Sequence, residues 1–519
     1  MHAMLRLSRS GFAVLAALLL VAACRGGETT PPPSQGASNP APAGQQAPPR
    51  RVVTIAQGTD QESWNPYFHS STPTYGLWFQ IMEPLVVYDL QTRSYRGVLA
   101  TSWENPEPNL WVFHLRQGVK AHNGQPFTAQ DVVYSVQRIK DPQTSRQAFT
   151  LRDVERVEAV DDYTVRFYTK QPFAPFLDFL TTRVMITKSA ADQWGDDVDR
   201  HPTGTGPFRF KEWVPGQRWV VERNPDYWGP QPDVDEVIFR PIPEDEARIT
   251  ALLNGEVDII TNVPPQALGR LTGQVRAEGV RGLRIMFLAL NNQLKPFDNK
   301  LVRQAVNYAI DRDALIKGVL DGRAYRLDGP VGPQVIGYDD KLTNYPYDPA
   351  KARELLAQAG YPDGFSTDLY TPTGRYTKDK EVTQAIAGQL AQVGIKTNIR
   401  TPEWATYFSD VDAGKLPMYY FGRGPVTDPS DFFSQYFETG VSKRIGFSLP
   451  ALDALLRQER ETFDPNARVQ ILQQAQRLMM EEAGMAFLWN YEDTYGVGPR
   501  VDWKPRADEY VFGWEIKLK

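Results

Sequence analysis

The chain has 519 residues, with 57 Lys or Arg against 62 Asp or Glu and a formal net charge of −5. A mildly acidic chain without a basic run is not typical of a nucleic-acid-binding protein, and we expect no such partner. Its length exceeds what one hydrophobic core usually serves, which predicts two or more lobes.

Residues 1–23 are predicted to be a signal peptide. Arg6 and Arg9 precede an uninterrupted apolar and small-residue run over residues 11–23, which is too short for a comfortable membrane span. The run is followed at once by Cys24, the only cysteine of the chain. A lone exported thiol has no intramolecular disulfide partner, so its position directly after two alanines needs another explanation.

Residues 24–50, which begin with this cysteine, are predicted to be a disordered linker. The segment is rich in Pro, Gly, Ala, Ser and Gln and has almost no large apolar side chain. It therefore cannot offset the entropy of ordering by burying surface, and we expect it to hold a folded body off the membrane.

From residue 51 onward, strand and helix patterns alternate. Apolar residues recur with period two over Leu110–Arg116, which predicts a half-buried strand. Thr128, with Asp131 three residues later, predicts the capped start of a helix. Helical spacing of apolar residues over Leu301–Asp321 predicts one continuous helix that ends at Gly322.

A crossover unit is predicted further along the chain. A strand pattern over 368–371 is followed by a helix pattern from Val382 to Val393 and by a second strand pattern from Ile395 to Ile399. A strand, helix and strand this close together form a right-handed βαβ unit, which predicts an α/β lobe with parallel strand pairing.

Several short segments carry a family resemblance. In chain order they are Leu99–Trp103, Leu115–Lys120, Phe127–Tyr134, Gly204–Phe208, Glu222–Trp228, Leu253–Asp258, Val302–Ala305, Ala309–Arg312 and 352–360. Together they resemble the family 5 extracellular solute-binding proteins of ABC importers, which include oligopeptide-, dipeptide- and nickel-binding components. The residues before Cys24 likewise resemble a bacterial lipobox, which implies a lipid on its thiol.

The resemblance implies an α/β, two-lobed periplasmic-binding-protein fold of type II with an extra inserted subdomain. Its lobes are joined by hinge strands, and the ligand lies between them. The resemblance implies a first-lobe core at 51–95, 205–290 and 487–519, an inserted subdomain at 96–204 and a second lobe at 291–486.

The function implied is that of a lipid-anchored binding protein on the outer face of the cytoplasmic membrane, either periplasmic or extracellular. It would capture a peptide or peptide-like solute and deliver it to the permease subunits of an ABC transporter. We expect a monomer with no catalytic residue, no metal site and no cofactor. An oligosaccharide, a metal complex or an anionic metabolite stays open as the ligand.

A lipid-anchored hydrolase is the hypothesis from a different class. Against it, the chain has no H-E-x-x-H or G-x-S-x-G motif and only five histidines. The spacing of its carboxylates pairs none of them convincingly for acid–base work.

Aromatic residues are the first candidates for the ligand site. The segment from Glu403 to Phe421 matches the cleft-lining region of peptide-binding relatives, which implies that Trp404 and Tyr420 contact the ligand. A core position is the alternative for Trp404. Trp64 and Tyr75, with the nearby Trp78, are expected to form the opposite wall of the cleft.

The loop that follows Phe421 departs from the family pattern. Peptide-binding members carry a tryptophan and, three residues later, an aspartate that pairs with the ligand's α-ammonium; Gly422 and Pro425 take these places. Asp428 and Asp431 are candidate replacements, or else turn and helix-cap residues. Arg423 is either a clamp for a carboxylate or phosphate or a surface charge.

Overall fold

The computed structural model describes residues 50–68 and 72–519, apart from the side chain of residue 405. The predicted signal peptide, Cys24 and all but the last residue of the predicted linker lie outside the described residues. Within the described ranges, no helix has the length and apolar character needed to cross a membrane.

The strands of the described part are β1 (Val52–Gln57), β2 (Val86–Asp89), β3 (Ser94–Gly97), β4 (Ala100–Glu107), β5 (Leu110–Leu115), β6 (Val154–Asp161), β7 (Thr164–Thr169), β8 (Phe208–Val214), β9 (Arg218–Arg223), β10 (Glu236–Pro241), β11 (Ile259–Thr261), β12 (Arg276–Arg281), β13 (Ile285–Leu290), β14 (Ala324–Arg326), β15 (Phe365–Tyr370), β16 (Ile395–Arg400), β17 (Met418–Arg423), β18 (Met485–Val497), β19 (Val501–Asp502) and β20 (Lys517–Leu518).

The α-helices are α1 (Thr72–Phe79), α2 (Ala129–Lys140), α3 (Phe176–Leu180), α4 (Lys188–Trp194), α5 (Asp245–Leu253), α6 (Lys300–Ala309), α7 (Arg312–Gly318), α8 (Pro349–Gln358), α9 (Asp379–Gln392), α10 (Trp404–Asp412), α11 (Ser430–Phe437), α12 (Pro450–Glu461) and α13 (Pro465–Glu482). Short 3₁₀ turns lie at Ala148–Leu151, Gly195–Arg200, Pro265–Arg270 and Gly513–Glu515.

The first lobe is built around β1, which pairs in parallel with β10 on one side and with β11 on the other. Strands β9 and β8 extend this half of the sheet in antiparallel fashion. Its core includes Val53, Trp78, Trp219 and Val237, all of them buried.

A separate four-stranded antiparallel sheet, in the order β4-β5-β7-β6, forms a subdomain beside the first lobe. Trp111, Phe113 and Leu115 of β5 are buried on one face, as predicted. On the other face His114 is exposed but Val112 is buried, so the strand is more buried than the pattern indicated. The predicted helix start is confirmed as well, since the Thr128 backbone N–H donates to Asp131 Oδ2 at 2.6 Å ahead of α2.

The chain leaves the subdomain through a close backbone contact. A Cβ on Gly204 would lie 2.3 Å from the Ile81 carbonyl oxygen, and the Gly206 N–H donates to that same oxygen at 2.8 Å. Only glycine allows this approach, which joins the end of the subdomain to the first lobe.

The second lobe contains the predicted crossover. Strands β15 and β16 pair in parallel along their whole length, from Phe365 opposite Ile395 to Tyr370 opposite Arg400, and α9 connects them. This arrangement confirms the predicted βαβ unit. The sheet continues through β17, β13 and β18.

The helix predicted over Leu301–Asp321 is wrong, because the structure has two helices there, α6 and α7. Asp311 lies between the two helices and caps the start of α7, because its Oδ1 accepts from the Ala314 N–H at 2.9 Å. The side chain of Arg312 is buried and donates to the carbonyl oxygens of Asn307 and Ile310 at 3.2 and 3.3 Å. These contacts satisfy carbonyls that a continuous helix would have bonded internally.

Two strand segments connect the lobes. The 13-residue strand β18 pairs with β13 through its first half and with β11 and β12 through its second half. The second connection is the short link Gly282–Arg284 between β12 and β13. A pair of strands that crosses between two lobes is the arrangement expected of a hinge.

Candidate functional site

A cavity of about 2330 Å³ lies between the lobes. Its wall includes Tyr75 from the first lobe, Asp178 and Arg183 from the subdomain, and Trp404 and Arg423 from the second lobe. Small-molecule pockets usually measure roughly 300–1,000 Å³, so this cleft has room for a ligand of oligopeptide size.

Trp404 forms part of an aromatic wall, as predicted from the cleft-lining segment. It begins α10 and lines the cavity, and its ring stacks on that of Phe421 with centroids 6.1 Å apart and planes at 13°. The ring of Tyr376 meets it edge-on at 6.4 Å. An aromatic surface of this kind can cover the apolar side chains of a ligand.

Tyr420 does not line the cavity, which contradicts the expectation that it contacts the ligand. Its side chain is fully buried, and its hydroxyl is hydrogen-bonded to that of Tyr491 at 2.5 Å. Side chains alternate along β17, so Phe421 faces the aromatic wall while Tyr420 packs into the core on the other side of the sheet.

The three aromatic residues expected in the first-lobe wall lie in different environments. Tyr75 lines the cavity. Trp64 does not: its ring lies 4.8 Å from that of Trp213 and packs with the first-lobe sheet. Trp78 is buried against Trp219, with centroids 5.3 Å apart. The expectation for Trp64 is therefore contradicted.

Asp428 lies at the cavity wall but is held inside the second lobe. Its side chain is only 1% exposed, and Arg468 donates to both of its oxygens at 2.6 and 2.8 Å. Asp428 Oδ1 also accepts from the Ser430 N–H at 3.0 Å, which is the turn-forming alternative considered for it. A carboxylate bound in this way has little capacity left for a ligand ammonium.

Arg423 and Asp431 both line the cavity and form an ion pair with each other. Arg423 is therefore compensated within the protein, although its Nε has no hydrogen-bond partner among the described residues. Because the two charges cancel, this pair leaves little net charge near the position where peptide-binding relatives carry an aspartate.

Arg375 is a cleft residue that sequence reasoning missed. It is half-buried at the cavity wall, and its guanidinium lies over the rings of Tyr376 and Trp404, at 5.1 and 5.4 Å. No carboxylate in the described residues forms an ion pair with it, and its Nε lacks a hydrogen-bond partner there. Burial and the nearby Arg284 cation lower the pKa of Arg375, although a guanidinium stays protonated at neutral pH.

Arg284 lies in the same cavity wall and, unlike Arg375, is paired with a carboxylate. Its Nε and Nη2 donate to the two carboxylate oxygens of Glu509 at 2.9 and 2.8 Å, and its Nη2 also donates to Thr72 Oγ1 at 3.1 Å. Arg375, by contrast, forms no such ion pair in the described part of the chain, and the Glu509 and Glu62 carboxylates act on it only from beyond ion-pair distance. One sequence signal could have indicated it: Arg375 follows the carboxyl end of parallel strand β15, where α/β folds bind ligands.

Asp178 is a second cleft residue that sequence reasoning missed. It lies in α3 of the subdomain, and its Oδ1 accepts from the Thr427 hydroxyl of the second lobe at 2.7 Å. No Lys, Arg or His of the described residues forms an ion pair with it. Loss of solvent and the neighbouring Asp428 carboxylate raise the pKa of Asp178 to about 7.

Histidine does not build a metal site in the described part of the chain, where no group of three or more His, Cys, Asp or Glu is arranged to hold a metal ion. His122 bonds the backbone instead: its Nδ1 accepts from the Gly204 N–H at 3.3 Å and its Nε2 lies 3.1 Å from the Gly206 carbonyl oxygen. Burial lowers the pKa of His122 to about 4, so the ring is neutral.

Comparisons with known proteins agree on one family. The family model for bacterial extracellular solute-binding proteins, family 5, matches residues 94–443. The glutathione-binding protein GsiB of Escherichia coli O1:K1 is 31% identical over 452 residues, covering 83% of this chain and 88% of the relative. Heme-binding protein A of Haemophilus influenzae is 33% identical over 439 residues, covering 78% and 80%.

The fold comparison agrees with the sequence comparison. The periplasmic binding protein DppA of Helicobacter pylori, solved in complex with the peptide STSA, superposes with a TM-score of 0.81 at 29% identity. The match covers 90% of this chain and 98% of that one. It confirms the expected α/β, two-lobed periplasmic-binding-protein fold of type II, with lobes joined by hinge strands. This chain belongs to the bacterial extracellular solute-binding proteins of family 5.

Proposed function

We propose that this chain captures a peptide or peptide-like solute with free termini outside the cytoplasm and delivers it to the permease subunits of an ABC importer. One observation carries the proposal: the two sides of the cleft present a basic and an acidic side chain that have no ion-pair partner among the described residues, Arg375 from the second lobe and Asp178 from the subdomain. A zwitterionic ligand would neutralise both, whereas a neutral oligosaccharide would leave both without a counter-ion.

Arg375 is the proposed partner of the ligand carboxylate. Its guanidinium is already oriented by contact with the Tyr376 and Trp404 rings, so little side-chain entropy is lost when an anion binds. Two relatives, a glutathione-binding protein and a DppA bound to the peptide STSA, support a peptide-like ligand with a carboxylate.

Asp178 is the proposed partner of the ligand ammonium. In the second-lobe loop, Pro425 stands where peptide-binding relatives carry the ammonium-binding aspartate, and Asp178 contacts Thr427 of this loop from the opposite side of the cleft. The carboxylate thus reaches the same region from the other lobe. A ligand that pairs with residues of both lobes favours the closed form of the hinge, because only that form makes both contacts. We infer that the chain binds its ligand without transforming it.

The lobe boundaries follow from the cores. We propose a first-lobe core of 51–95, 205–290 and 487–519, an inserted subdomain of 96–204 and a second lobe of 291–486. The hydrophobic clusters support this division in outline, since the buried residues of two clusters come only from the first-lobe and subdomain ranges. The other two draw mainly on the second-lobe range, together with β13 and the first half of β18 at its edges.

We also propose that the protein is a monomer tethered to the outer face of the cytoplasmic membrane through lipid on Cys24. We expect Cys24→Ala to release the protein into the soluble fraction, because each buried lipid methylene contributes about 0.8 kcal/mol of membrane binding. Fractionation after a salt wash measures this, with Ser34→Ala in the linker as the control. A Cys24→Ala protein that stays with the membranes would exclude lipid as the anchor.

The proposed function is tested by capture from a library of synthetic tri- to pentapeptides, offered with free or acetylated N-termini and identified by mass spectrometry. We expect free peptides to be captured and acetylated ones largely lost. Because a protonated Asp178 must ionise to pair with the ammonium, affinity for a captured free peptide should fall about tenfold from pH 8 to pH 6.

Asp178→Asn should remove both the preference for free N-termini and this pH dependence. Asp162→Asn, an exposed residue of the same subdomain outside the cleft, should retain both. Recovery of no peptide from the wild-type protein would overturn the proposed function. Equal capture of acetylated and free peptides would overturn only the role of Asp178.

A further inference from the structure

Arg183 of the subdomain is a second cation at the wall of the cleft, distant in sequence from Arg375. It follows α3 closely, lines the same cavity and is 7% exposed. An arginine this well buried normally has a carboxylate beside it, because desolvating a charge without a counter-ion is costly.

The hydrogen-bond partners of Arg183 are all neutral. Its Nε donates to Thr150 Oγ1 at 3.0 Å, and its Nη1 donates to Gln147 Oε1 at 2.9 Å and to Thr182 Oγ1 at 3.0 Å. Gln147 and Thr150 are themselves buried, so the guanidinium is held in place on one edge. Its Nη2 has no hydrogen-bond partner and no ion pair among the described residues.

Some arginines of the cavity wall have acidic partners. Arg444 pairs with Asp412 at 2.8 Å, and Arg506 pairs with Asp508 at 2.5 Å. Their charges are compensated whether or not a ligand is bound. Arg183 differs from these two arginines because it is buried and held by neutral partners, without a carboxylate beside it among the described residues.

We propose that Arg183 binds a second anionic group of the ligand, a carboxylate in addition to the one at Arg375, and that the preferred ligands are therefore acidic peptides. This inference rests on the proposed function. The Nη2 group donates to the carboxylate, while the neutral partners of Nε and Nη1 keep the guanidinium plane fixed. A peptide with a Glu or Asp side chain, or with an additional backbone carboxylate, supplies this group.

The test uses a library of free tri- to pentapeptides in equimolar pairs that differ only by Glu against Gln or Asp against Asn. We expect the wild-type protein to capture the acidic member of a pair at least tenfold better than the amide. Arg183→Gln should reduce this ratio to near one while neutral peptides are still captured. Arg156→Gln, on the exposed part of the same subdomain and away from the cavity, is the matched control and should keep the ratio.

Gln147→Glu provides a second variant that does not remove the arginine. It is isosteric and places a carboxylate on an existing partner of Arg183, which supplies an internal counter-ion. We expect it to fold and to lose the acidic preference. Peptide capture without an acidic preference, or a preference that Gln147→Glu leaves intact, would overturn this inference and leave the proposed function standing. Capture of no peptide at all would overturn both.

Discussion

Arg375→Gln is expected to weaken the binding of a captured peptide by roughly one hundredfold. Charge-assisted hydrogen bonds contribute about 1.5–3 kcal/mol each, and about 1.4 kcal/mol corresponds to a tenfold change in affinity. Arg375 forms no ion pair with a carboxylate of the described residues, and Glu509 and Glu62 act on it only from beyond ion-pair distance, so a ligand carboxylate does not have to displace a bound protein acid. Isothermal titration calorimetry measures the effect.

The ligand provides the control for this prediction. A peptide with a C-terminal amide should bind the wild-type protein about as weakly as the free acid binds Arg375→Gln, and the variant should not distinguish acid from amide. Arg400→Gln, at the end of β16 in the same lobe and paired with Asp368 at 3.3 Å, should behave as wild type. A variant that still prefers the acid would show that the carboxylate binds elsewhere.

Arg468→Met is expected to lower the free energy of unfolding by about 3–5 kcal/mol at pH 7.5, because it leaves two buried carboxylates without a cation. Arg468 donates to both oxygens of Asp428 and, at 2.9 Å, to Glu459 Oε2. The side chains of these acids are 1% and 0% exposed. Urea unfolding gives the size of the loss, with the exposed Arg457→Met in α12 as the matched control.

The loss should depend on pH in a defined direction. Burial already raises the pKa of Glu459 in the presence of Arg468, and removal of the cation raises it further. An acid whose pKa is higher in the folded state stabilises that state below its unfolded pKa near 4, and this contribution is lost as the pH rises through the folded pKa. The deficit of Arg468→Met should therefore be smaller at pH 5 than at pH 7.5. A constant deficit would contradict the burial of uncompensated acids.

Loop geometry explains why the proposed ammonium partner could not be predicted from the family pattern alone. Asp428 and Asp431 are the acids nearest the expected position, but Arg468 and Arg423 neutralise them. The carboxylate that reaches this loop, Asp178, lies 249 residues from Thr427 in sequence. No local spacing connects the two.

The aromatic residues of the cleft illustrate a second limit on predicting the ligand site from the sequence. Alternation along Met418–Phe421 separates the two faces of β17, yet every side chain in this stretch is buried. Periodicity therefore could not tell which face meets the cleft, and the expectation for Tyr420 was wrong while that for Trp404 placed it correctly in the wall. Trp64 was misplaced for the same reason, since aromatic side chains serve the core and the cleft equally well.

What the sequence by itself determined is local. The cap formed by Thr128 and Asp131, the alternation along β5 and the βαβ unit all rest on contacts or spacings within one element or between neighbouring ones. The order of the family segments determined the fold, because many short matches in one order constrain the chain path. What only the tertiary structure decided is charge compensation. Whether Arg375, Asp178 or Arg183 is neutralised depends on groups far away in sequence, and this determines which charges remain available to a ligand.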